Sequence, residues 1–508
     1  MASRLLLCSS MRVLVTGGTG VIGTEAISEL IRSGHQVRLL SRHAHEDARQ
    51  WHEVEPYQGD ISDPASLKGA AEGCDAILHI AGLASDDVAE LETINVTGTS
   101  NMLNEAQRAG LGRFIYVSSL GAERGASNYH QSKRKAESLV SQSSLDWTIV
   151  RPGNVYGPND EVISVLLRAV RALPVVPLID HGKQPFQPIW HEDLAKACAK
   201  IVERSDLTGQ TLEIAGHEVT SMDDLLDRIA VITDRKPVRV PIPQFLASLA
   251  TTLGAAAGVT LPIDQSRLTM LQEENVIEDG RLNAMDTLAI TPTPLDRGLR
   301  LLADAQPEQL AEEGVGALQH KCFFAEIAGS RFSAASLMTW FRDRAAEVMP
   351  IEFDTEPGTP QRLDLGATLT AKIPMRGNIQ VRVESTEATR VVLATLVGHP
   401  LAGTVEFTTS DLPNGLRFAI DTYTRSANTL DLVALKSVGA PMQDSNWKQV
   451  VQRVIDASGG TSSEGVQNTA ESLDDEAAHR VEERRKQMVQ KRKRDEAEEA
   501  GPMIPQRP

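Results

Sequence analysis

From residue 12 to about residue 302, short apolar runs alternate with segments of helical periodicity. The runs that predict strands are residues 12–15, 36–40, 76–80, 114–117 and 148–150. Parallel strands buried on both faces, joined by helices that are apolar on one face, produce this alternation. The pattern predicts an α/β fold of the Rossmann type, with a doubly wound parallel sheet.

The pattern changes after about residue 322. Apolar and polar residues alternate from Ile379 to Glu384, as in a half-buried strand, and the runs 405–409 and 416–424 flank the turn signal Pro413-Asn-Gly. A closing helix carries apolar residues at helical spacing, namely Trp447, Val450, Val451, Val454 and Ile455. These elements predict a second, smaller α+β domain.

A length of 508 residues exceeds what one hydrophobic core usually serves. We expect a disordered N-terminus at residues 1–10, with translation starting at Met1 or Met11, and a Rossmann domain with substrate-side helices at 11–305. A linker at 306–321, the α+β domain at 322–460 and a charged tail at 461–508 then follow. The tail has too few aromatic and branched residues to form a core, so disorder or a solvated helix is expected.

Composition limits the partners. The net charge of −17 argues against nucleic acid, and the acidic residues around the basic run 491–494 weaken a nucleic-acid interpretation of that run. The four cysteines form no CxxC pair and the histidines lack ligand spacing, so we expect no metal and a reducing cytoplasm. Residues 245–261 carry no charge but are too few to span a bilayer, which leaves contact with a membrane surface open.

A glycine-rich turn follows the first predicted strand. Gly17 would permit the tight turn, Gly20 would let the backbone approach a pyrophosphate, and Gly23 would let helix and strand pack closely. A dinucleotide would also contact the residues between them, Thr19, Val21 and Ile22. The alternative is a flexible turn without a ligand, which the strand before it and the amphipathic segment after it disfavour.

The second predicted strand ends in Ser41-Arg42. A carboxylate at this position would accept the ribose hydroxyls of NAD and repel a 2′-phosphate, whereas a hydroxyl and a guanidinium suit that phosphate. We therefore expect NADP(H) to be preferred over NAD(H). A surface arginine without a ligand is the alternative.

Further motifs follow in order: Gly59-Asp60-Ile61, His79-Ile-Ala81-Gly82, Asn95-Val-Thr-Gly98-Thr99, Val117-Ser-Ser119, Tyr129-x-x-x-Lys133 and Arg151-Pro-Gly-Asn-Val-Tyr-Gly-Pro158. With them the chain resembles the extended and atypical short-chain dehydrogenase/reductase superfamily. The stretch 187–194 and the run near 291–309 most resemble bacterial relatives of the NADPH-binding accessory subunit of respiratory complex I. The resemblance implies further cofactor contacts at Asp60, Ile61, Ala81, Gly82, Asn95 and Lys133.

The resemblance also implies a catalytic set. Tyr129 and Lys133 are four residues apart, so on a helix they share a face. A nearby ammonium would favour the phenolate and make Tyr129 a useful acid/base, and Ser119, or less favourably Ser118, would bond the substrate oxygen. The protein would then be an oxidoreductase or epimerase acting on an unknown carbonyl or hydroxyl substrate.

One departure from the family pattern leaves a second function open. The segment between Ser119 and Tyr129 is shorter than in catalytic extended members. Some shortened relatives bind NADPH without evident turnover, so a non-catalytic structural or assembly protein is the alternative.

The second domain resembles the START-like helix-grip fold, in which a curved sheet wraps a helix around an apolar cavity. That resemblance implies a possible apolar ligand, such as a lipid or a quinone-like molecule. The alternative is a plain interaction module with a filled core.

Overall fold

The computed structural model describes residues 10–51, 53–85, 87–158, 160, 162–172, 175–179, 182–242, 275–349, 362–373, 377–434 and 440–499. The predictions for residues 1–9 and 245–261 concern segments outside these residues. Within them, no helix is long and apolar enough to cross a membrane.

The first sheet is parallel and has seven strands in the described residues. They are β1 (Arg12–Thr16), β2 (Gln36–Ser41), β3 (Val54–Gln58), β4 (Ala76–His79), β5 (Arg113–Val117), β6 (Asp146–Pro152) and, later in the chain, β10 (Gln210–Ile214). The order β10-β6-β5-β4-β1-β2-β3 places the first strand in the interior. This arrangement confirms the predicted doubly wound Rossmann fold.

Helices cover both faces of this sheet. They are α1 (Val21–Arg32), α2 (Ala44–Asp47), α3 (Val88–Leu91), α4 (Gly98–Arg108), α5 (Asn128–Gln142), α6 (Ile163–Ala172), α7 (His191–Glu203) and α8 (Met222–Thr233). A π-helical turn, Glu92–Thr97, joins α3 to α4. Single 3-10 turns lie at Ala48–Gln50, Leu120–Ala122 and Ser205–Leu207.

A smaller lobe lies beyond the carboxyl ends of the strands. Its strand pairs are β7 (Val155–Tyr156) with β9 (Ile189–Trp190), and β8 (Val175–Ile179) with β11 (Val238–Ile242). Helices α9 (Ala284–Thr287) and α10 (Leu295–Asp304) return the chain. One apolar core joins α6, α8 and α10 and is separate from the cores that cover the sheet.

The second sheet is antiparallel, in the order β13-β14-β15-β16-β17-β12-β18. Its strands are β12 (Val315–Ala328), β13 (Thr368–Ile373), β14 (Gly377–Glu387), β15 (Arg390–Thr395), β16 (Leu401–Leu412), β17 (Gly415–Ser426) and β18 (Gln467–Ser472). The predicted hairpin is confirmed, since Leu412 pairs with Gly415.

The helices of this region are α11 (Ala334–Asp343), α12 (Ala345–Val348), α13 (Thr429–Ala434), α14 (Ala440–Ser458) and α15 (Asp475–Glu499), with a 3-10 turn at Ala311–Glu313. The predicted apolar stripe of α14 lies in a core with Phe323, Phe341 and Phe418.

The boundaries of the second region differ from those expected. Strand β12 begins at Val315, inside the segment 306–321 that was expected to be a linker. From the expected tail, Gln467–Ser472 pairs with β12, and the helix Asp475–Glu499 buries Ala478 and Val489. A strand with exposed residues and a charged helix carry weak hydrophobic signals, so composition alone concealed both.

The expected half-buried strand is covered on both faces. Gln380 and Glu384 on the polar face of β14 are 3% and 2% exposed. Arg492 of α15 bonds Glu384 Oε2 at 2.7 Å and Glu308 Oε1 at 2.8 Å, and Arg382 of β14 also bonds Glu308. Buried polar residues require such partners, which here come from the tail.

Candidate cofactor and catalytic site

The glycine-rich turn lies between β1 and α1, and two of its glycines have no room for a side chain. Gly17 has φ +71°, and a Cβ there would lie 2.6 Å from the Ala81 nitrogen. A Cβ at Gly23 would lie 2.1 Å from the Gly17 oxygen. At Gly20 the nearest atom to a Cβ would be the Gly17 oxygen at 3.6 Å, so a ligand has room to approach the backbone of Gly20.

The start of α1 offers backbone donors. Gly20 is its N-cap and, lacking a side chain, makes no side-chain hydrogen bond to the first turn. Thr19 and Gly20 are exposed, while Val21 and Ile22 are half-buried. An uncapped helix start next to a side-chain-free turn fits a dinucleotide pyrophosphate, because the donors and the positive end of the helix dipole face the same space.

Ser41 and Arg42 lie at the carboxyl end of β2. The Ser41 hydroxyl donates to the Asp47 carboxylate and accepts from the His43 N–H at 3.2 Å. Arg42 is exposed and makes no ion pair with the part of the chain that the structure describes, although its charge lies near Asp60. The guanidinium is therefore available to a ligand, whereas the hydroxyl already has two partners.

The adenine-side motif forms a tight turn after β3. Asp60 Oδ1 accepts from the Ser62 N–H at 2.8 Å and from its hydroxyl at 2.7 Å. These hydrogen bonds lower the pKa of Asp60, and the nearby Arg42 charge acts in the same direction. Ile61 is buried against Gly98, where a Cβ would lie 2.8 Å from Ile61 Cδ1.

A buried polar relay, missed in the sequence, connects β1, β4 and α4. His79 Nδ1 lies 2.7 Å from Thr16 Oγ1, and its Nε2 lies 3.1 Å from Thr99 Oγ1. Because Thr99 donates to the Asn95 carbonyl at 2.7 Å, it accepts from Nε2–H, and Thr16 donates to Nδ1. Burial and the Lys133 charge lower the pKa of His79 to about 3, so the ring stays neutral. The sequence motif that begins at His79 marks this position, but the motif alone did not indicate that His79 joins the two threonines.

Asn95, in the π-helical turn, connects helix α5 with the residue that follows Gly82. Its amide donates to Ser132 Oγ at 2.8 Å and to the Leu83 carbonyl at 2.9 Å, and its Oδ1 accepts the Leu83 N–H at 2.8 Å. A Cβ at Gly82 would lie 2.8 Å from Lys133 Nζ and 3.4 Å from Asn95 Oδ1. Gly82, Asn95 and Lys133 therefore lie next to one another, and Asn95 and Lys133 are buried.

Helix α5 places Tyr129 and Lys133 one turn apart, with Ser127 as N-cap. Lys133 is 4% exposed, and its Nζ donates to the Val117 carbonyl at 3.0 Å. That is its one hydrogen bond among the described residues, although an ammonium has three donors. Burial lowers the pKa of Lys133 to about 8. A buried ammonium with spare donors fits a polar ligand such as a ribose.

The two serines end β5. Ser119 is 8% exposed, and Ser118 has a buried hydroxyl without a hydrogen-bond partner in the described chain. Tyr129 is half-buried. The fold thus brings the carboxyl end of β5 and the first turn of α5 to the same side as the glycine-rich turn. Among the described residues, no three or more histidine, cysteine, aspartate or glutamate side chains cluster in a way that could hold a metal ion.

Comparison with known proteins gives the family. Residues 17–204 match the family model described as NAD(P)H-binding. The ceramide reductase of Caulobacter vibrioides is 36% identical over 245 residues, which are 46% of this chain and 75% of that protein.

The chain belongs to the extended short-chain dehydrogenase/reductase family. Its first region is accordingly an NAD(P)H-binding domain of an oxidoreductase or epimerase type. The NADH dehydrogenase [ubiquinone] 1 alpha subcomplex subunit 9 of Dictyostelium discoideum is 28% identical over 223 residues, 42% of this chain and 62% of that protein. The UDP-glucose 4-epimerase of Thermus thermophilus in complex with NAD is 22% identical with a TM-score of 0.47, covering 58% of this chain and 97% of that one.

Proposed function

We propose that the protein is an NADP(H)-dependent oxidoreductase that interconverts a carbonyl and an alcohol. The observation that carries the proposal is Lys133, a buried ammonium with a lowered pKa, held between the Val117 carbonyl and Gly82 one helical turn from Tyr129. Burying an ammonium costs free energy, and a chain that keeps one without a carboxylate ion pair has a use for its charge.

The cofactor would supply or accept the hydride at its nicotinamide ring. Tyr129 donates a proton to the carbonyl oxygen in reduction and removes it from the alcohol in oxidation. The Lys133 ammonium would favour the phenolate form of Tyr129, and its spare donors would hold the ribose of the cofactor. The Ser119 hydroxyl donates to the substrate oxygen as charge develops there.

The cofactor preference rests on Arg42. Its exposed guanidinium at the end of β2 would pair with a 2′-phosphate, which supports NADP(H) over NAD(H). Calorimetric titration should give NADPH the tighter binding, and Arg42→Ala should lose about 1.5–3 kcal/mol for NADPH alone. Arg49→Ala, an exposed arginine two positions after Asp47, is the control. If NADPH and NADH bind equally tightly to wild type, and still do so in Arg42→Ala, the predicted cofactor preference is wrong, although the predicted fold is unaffected.

For the substrate, the similarity to a ceramide reductase supports an apolar, lipid-like carbonyl compound. The test is NADPH oxidation against a panel of long-chain, sterol and quinone carbonyls. Tyr129→Phe should lower turnover by about 100-fold or more while NADPH affinity stays the same. Tyr423→Phe, a tyrosine of the second sheet, should leave turnover unchanged. Full turnover by Tyr129→Phe would refute the acid/base role.

A second candidate function has its own support. The short segment between Ser119 and Tyr129, together with the similarity to a subunit of NADH dehydrogenase, favours a protein that binds NADPH for structure or assembly. In that case NADPH should raise the unfolding temperature of the full chain, and no compound of the panel should be reduced.

For the second region we propose an apolar ligand as the helix-grip interpretation implies. Five consecutive antiparallel strands with β12 beyond them, and α14 against their apolar face, support that interpretation. Phe341 lies 4.8 Å from Phe407 and 5.4 Å from Phe418, ring to ring, which instead favours the filled-core interaction module. Native mass spectrometry of the full chain with added quinone or fatty acid distinguishes the two: uptake lost in Phe407→Asp supports a cavity, and absence of uptake supports the module.

A further inference from the structure

The segment between Ser119 and Tyr129 is compact rather than extended. After Ser119 the chain forms the 3-10 turn Leu120–Ala122, in which the Ala122 N–H bonds the Ser119 carbonyl at 3.0 Å. The Gly125 N–H then bonds the Gly121 carbonyl at 2.7 Å. These turns shorten the path from strand to helix, so few residues suffice to span it.

The helix that carries Tyr129 also holds this segment. The Arg134 guanidinium donates to three carbonyls of the segment: Ala122 at 2.7 Å, Glu123 at 2.5 Å and Gly125 at 3.3 Å. Arginine presents five donors in a rigid fork, so it can fix three backbone oxygens at once where lysine would fix fewer. The segment is therefore bound to α5 by a residue directly following Lys133.

Several further contacts act on the same segment. A Cβ at Gly121 would lie 2.4 Å from the ring of His130, the residue after Tyr129, so the turn sits directly on the first turn of α5. The Glu123 carboxylate bonds Arg151 at 2.5 Å, and Arg151 bonds Glu137 of α5 at 2.7 Å.

We propose that Arg134 is a positioning residue that fixes the distance between Ser119 and Tyr129 by clamping the short segment to α5. The inference rests on the proposed oxidoreductase function and deepens it, because it shows how a short segment keeps the two groups in register. In this role Arg134 acts through the backbone of the segment, to which its guanidinium donates, and not by direct contact with the reacting groups.

The experiment compares wild type, Arg134→Ala, Arg134→Lys and the control Lys135→Ala, whose cation on the same helix pairs with Glu92 instead. Hydrogen exchange of residues 120–128 with NADPH bound should be faster by about tenfold in Arg134→Ala, partly restored in Arg134→Lys and unchanged in Lys135→Ala. With a carbonyl substrate, kcat of Arg134→Ala should fall roughly 10- to 100-fold, while KM and the NADPH Kd stay within about twofold.

The two readouts separate the two proposals. If wild type reduces no carbonyl of the panel, the proposed function fails, and exchange in residues 120–128 alone decides whether Arg134 holds the segment. Unchanged exchange in Arg134→Ala would overturn the positioning role. A parallel loss of kcat, NADPH affinity and unfolding temperature would also overturn it, because that pattern describes a general loss of stability.

Discussion

The two sheets differ in the partners that they provide for buried charged side chains. At the first sheet, Lys133 is 4% exposed with one hydrogen bond in the described residues, and its charge helps to lower the pKa of the buried, neutral His79. At the second sheet, Glu384 and Arg492 are 2% and 5% exposed, and each is part of an ion-pair network with Glu308. Among the described residues the Lys133 ammonium has no ion-pair partner, which leaves its charge for a ligand to complete, whereas the buried charges of the second sheet are paired with one another.

The largest effect that tests this contrast is expected in Lys133→Met. Turnover should fall by about 100-fold or more, because the variant has no ammonium to favour the Tyr129 phenolate. The first region should at the same time become more stable at pH 7, by roughly 1 to 3 kcal/mol, because the buried ammonium is removed. Since burial lowers the pKa of Lys133 to about 8 from 10.5, wild type should recover part of this stability as pH rises from 8 to 10.5.

Urea unfolding followed at the first region measures this gain. Lys135→Met is the control, since its side chain is 59% exposed and its loss should change stability little. A Lys133→Met variant that is less stable than wild type at pH 7 would show that the ammonium is structural, and the contrast between the two sheets would disappear.

The second prediction concerns the ion-pair network of the second sheet. Arg492→Ala should destabilise the second region by about 3 kcal/mol, because it leaves Glu384 and Glu308 buried with fewer partners. Arg480→Ala, in an exposed pair with Glu476 on the same helix, should cost less than about 0.5 kcal/mol. Pulse-labelling hydrogen exchange in urea should locate the loss in β14 and α15. An equal effect of both variants would argue against a network that stabilises the sheet.

The third and smallest expected effect is that a rise in pH changes the stability contributions of His79 and Glu384 in opposite directions. His79 has a lowered pKa of about 3, so the unfolded chain binds its proton first and His79 contributes stability that increases from pH 5 to 6.5. Burial raises the pKa of Glu384 to about 7, so the folded chain binds that proton first and the contribution of Glu384 decreases over the same range. Each change should amount to about 1 to 2 kcal/mol.

The contributions are measured as differences in stability between wild type and His79→Gln, and between wild type and Glu384→Gln, at pH 5 and 6.5. If the two contributions change in the same direction between pH 5 and 6.5, the protonation states inferred for His79 and Glu384 are wrong.

The interior of the first sheet could be predicted from sequence, but its edges could not. The five predicted strands are the inner five, whereas β3 and β10, the two edge strands, gave no signal. An edge strand is covered on fewer sides, so Glu55, Pro56 and Gln210 can stand among its apolar residues and interrupt the run. The polar face of β14 misled the prediction for the complementary reason: a charged helix far along the chain covers it.

The site shows the same limit. The glycine turn and the pair Tyr129 and Lys133 follow from local spacing, because a turn and a helix are local structures. The relay through Thr16, His79 and Thr99 joins residues 63 and 20 positions apart, and the role of Arg134 depends on where a turn folds back. Sequence alone gives no register for such contacts.

The most direct test of hydride transfer at the first sheet uses NADPH deuterated at the transferable C4 position of its nicotinamide. Wild type and Tyr129→Phe are incubated with each carbonyl of the panel, and the alcohols are examined by mass spectrometry. The account predicts one deuterium on the former carbonyl carbon with wild type and, over the same time, at most about a hundredth as much with Tyr129→Phe. NADPH binding by wild type without deuterium in any product, or equal deuterium transfer by both proteins, would contradict it.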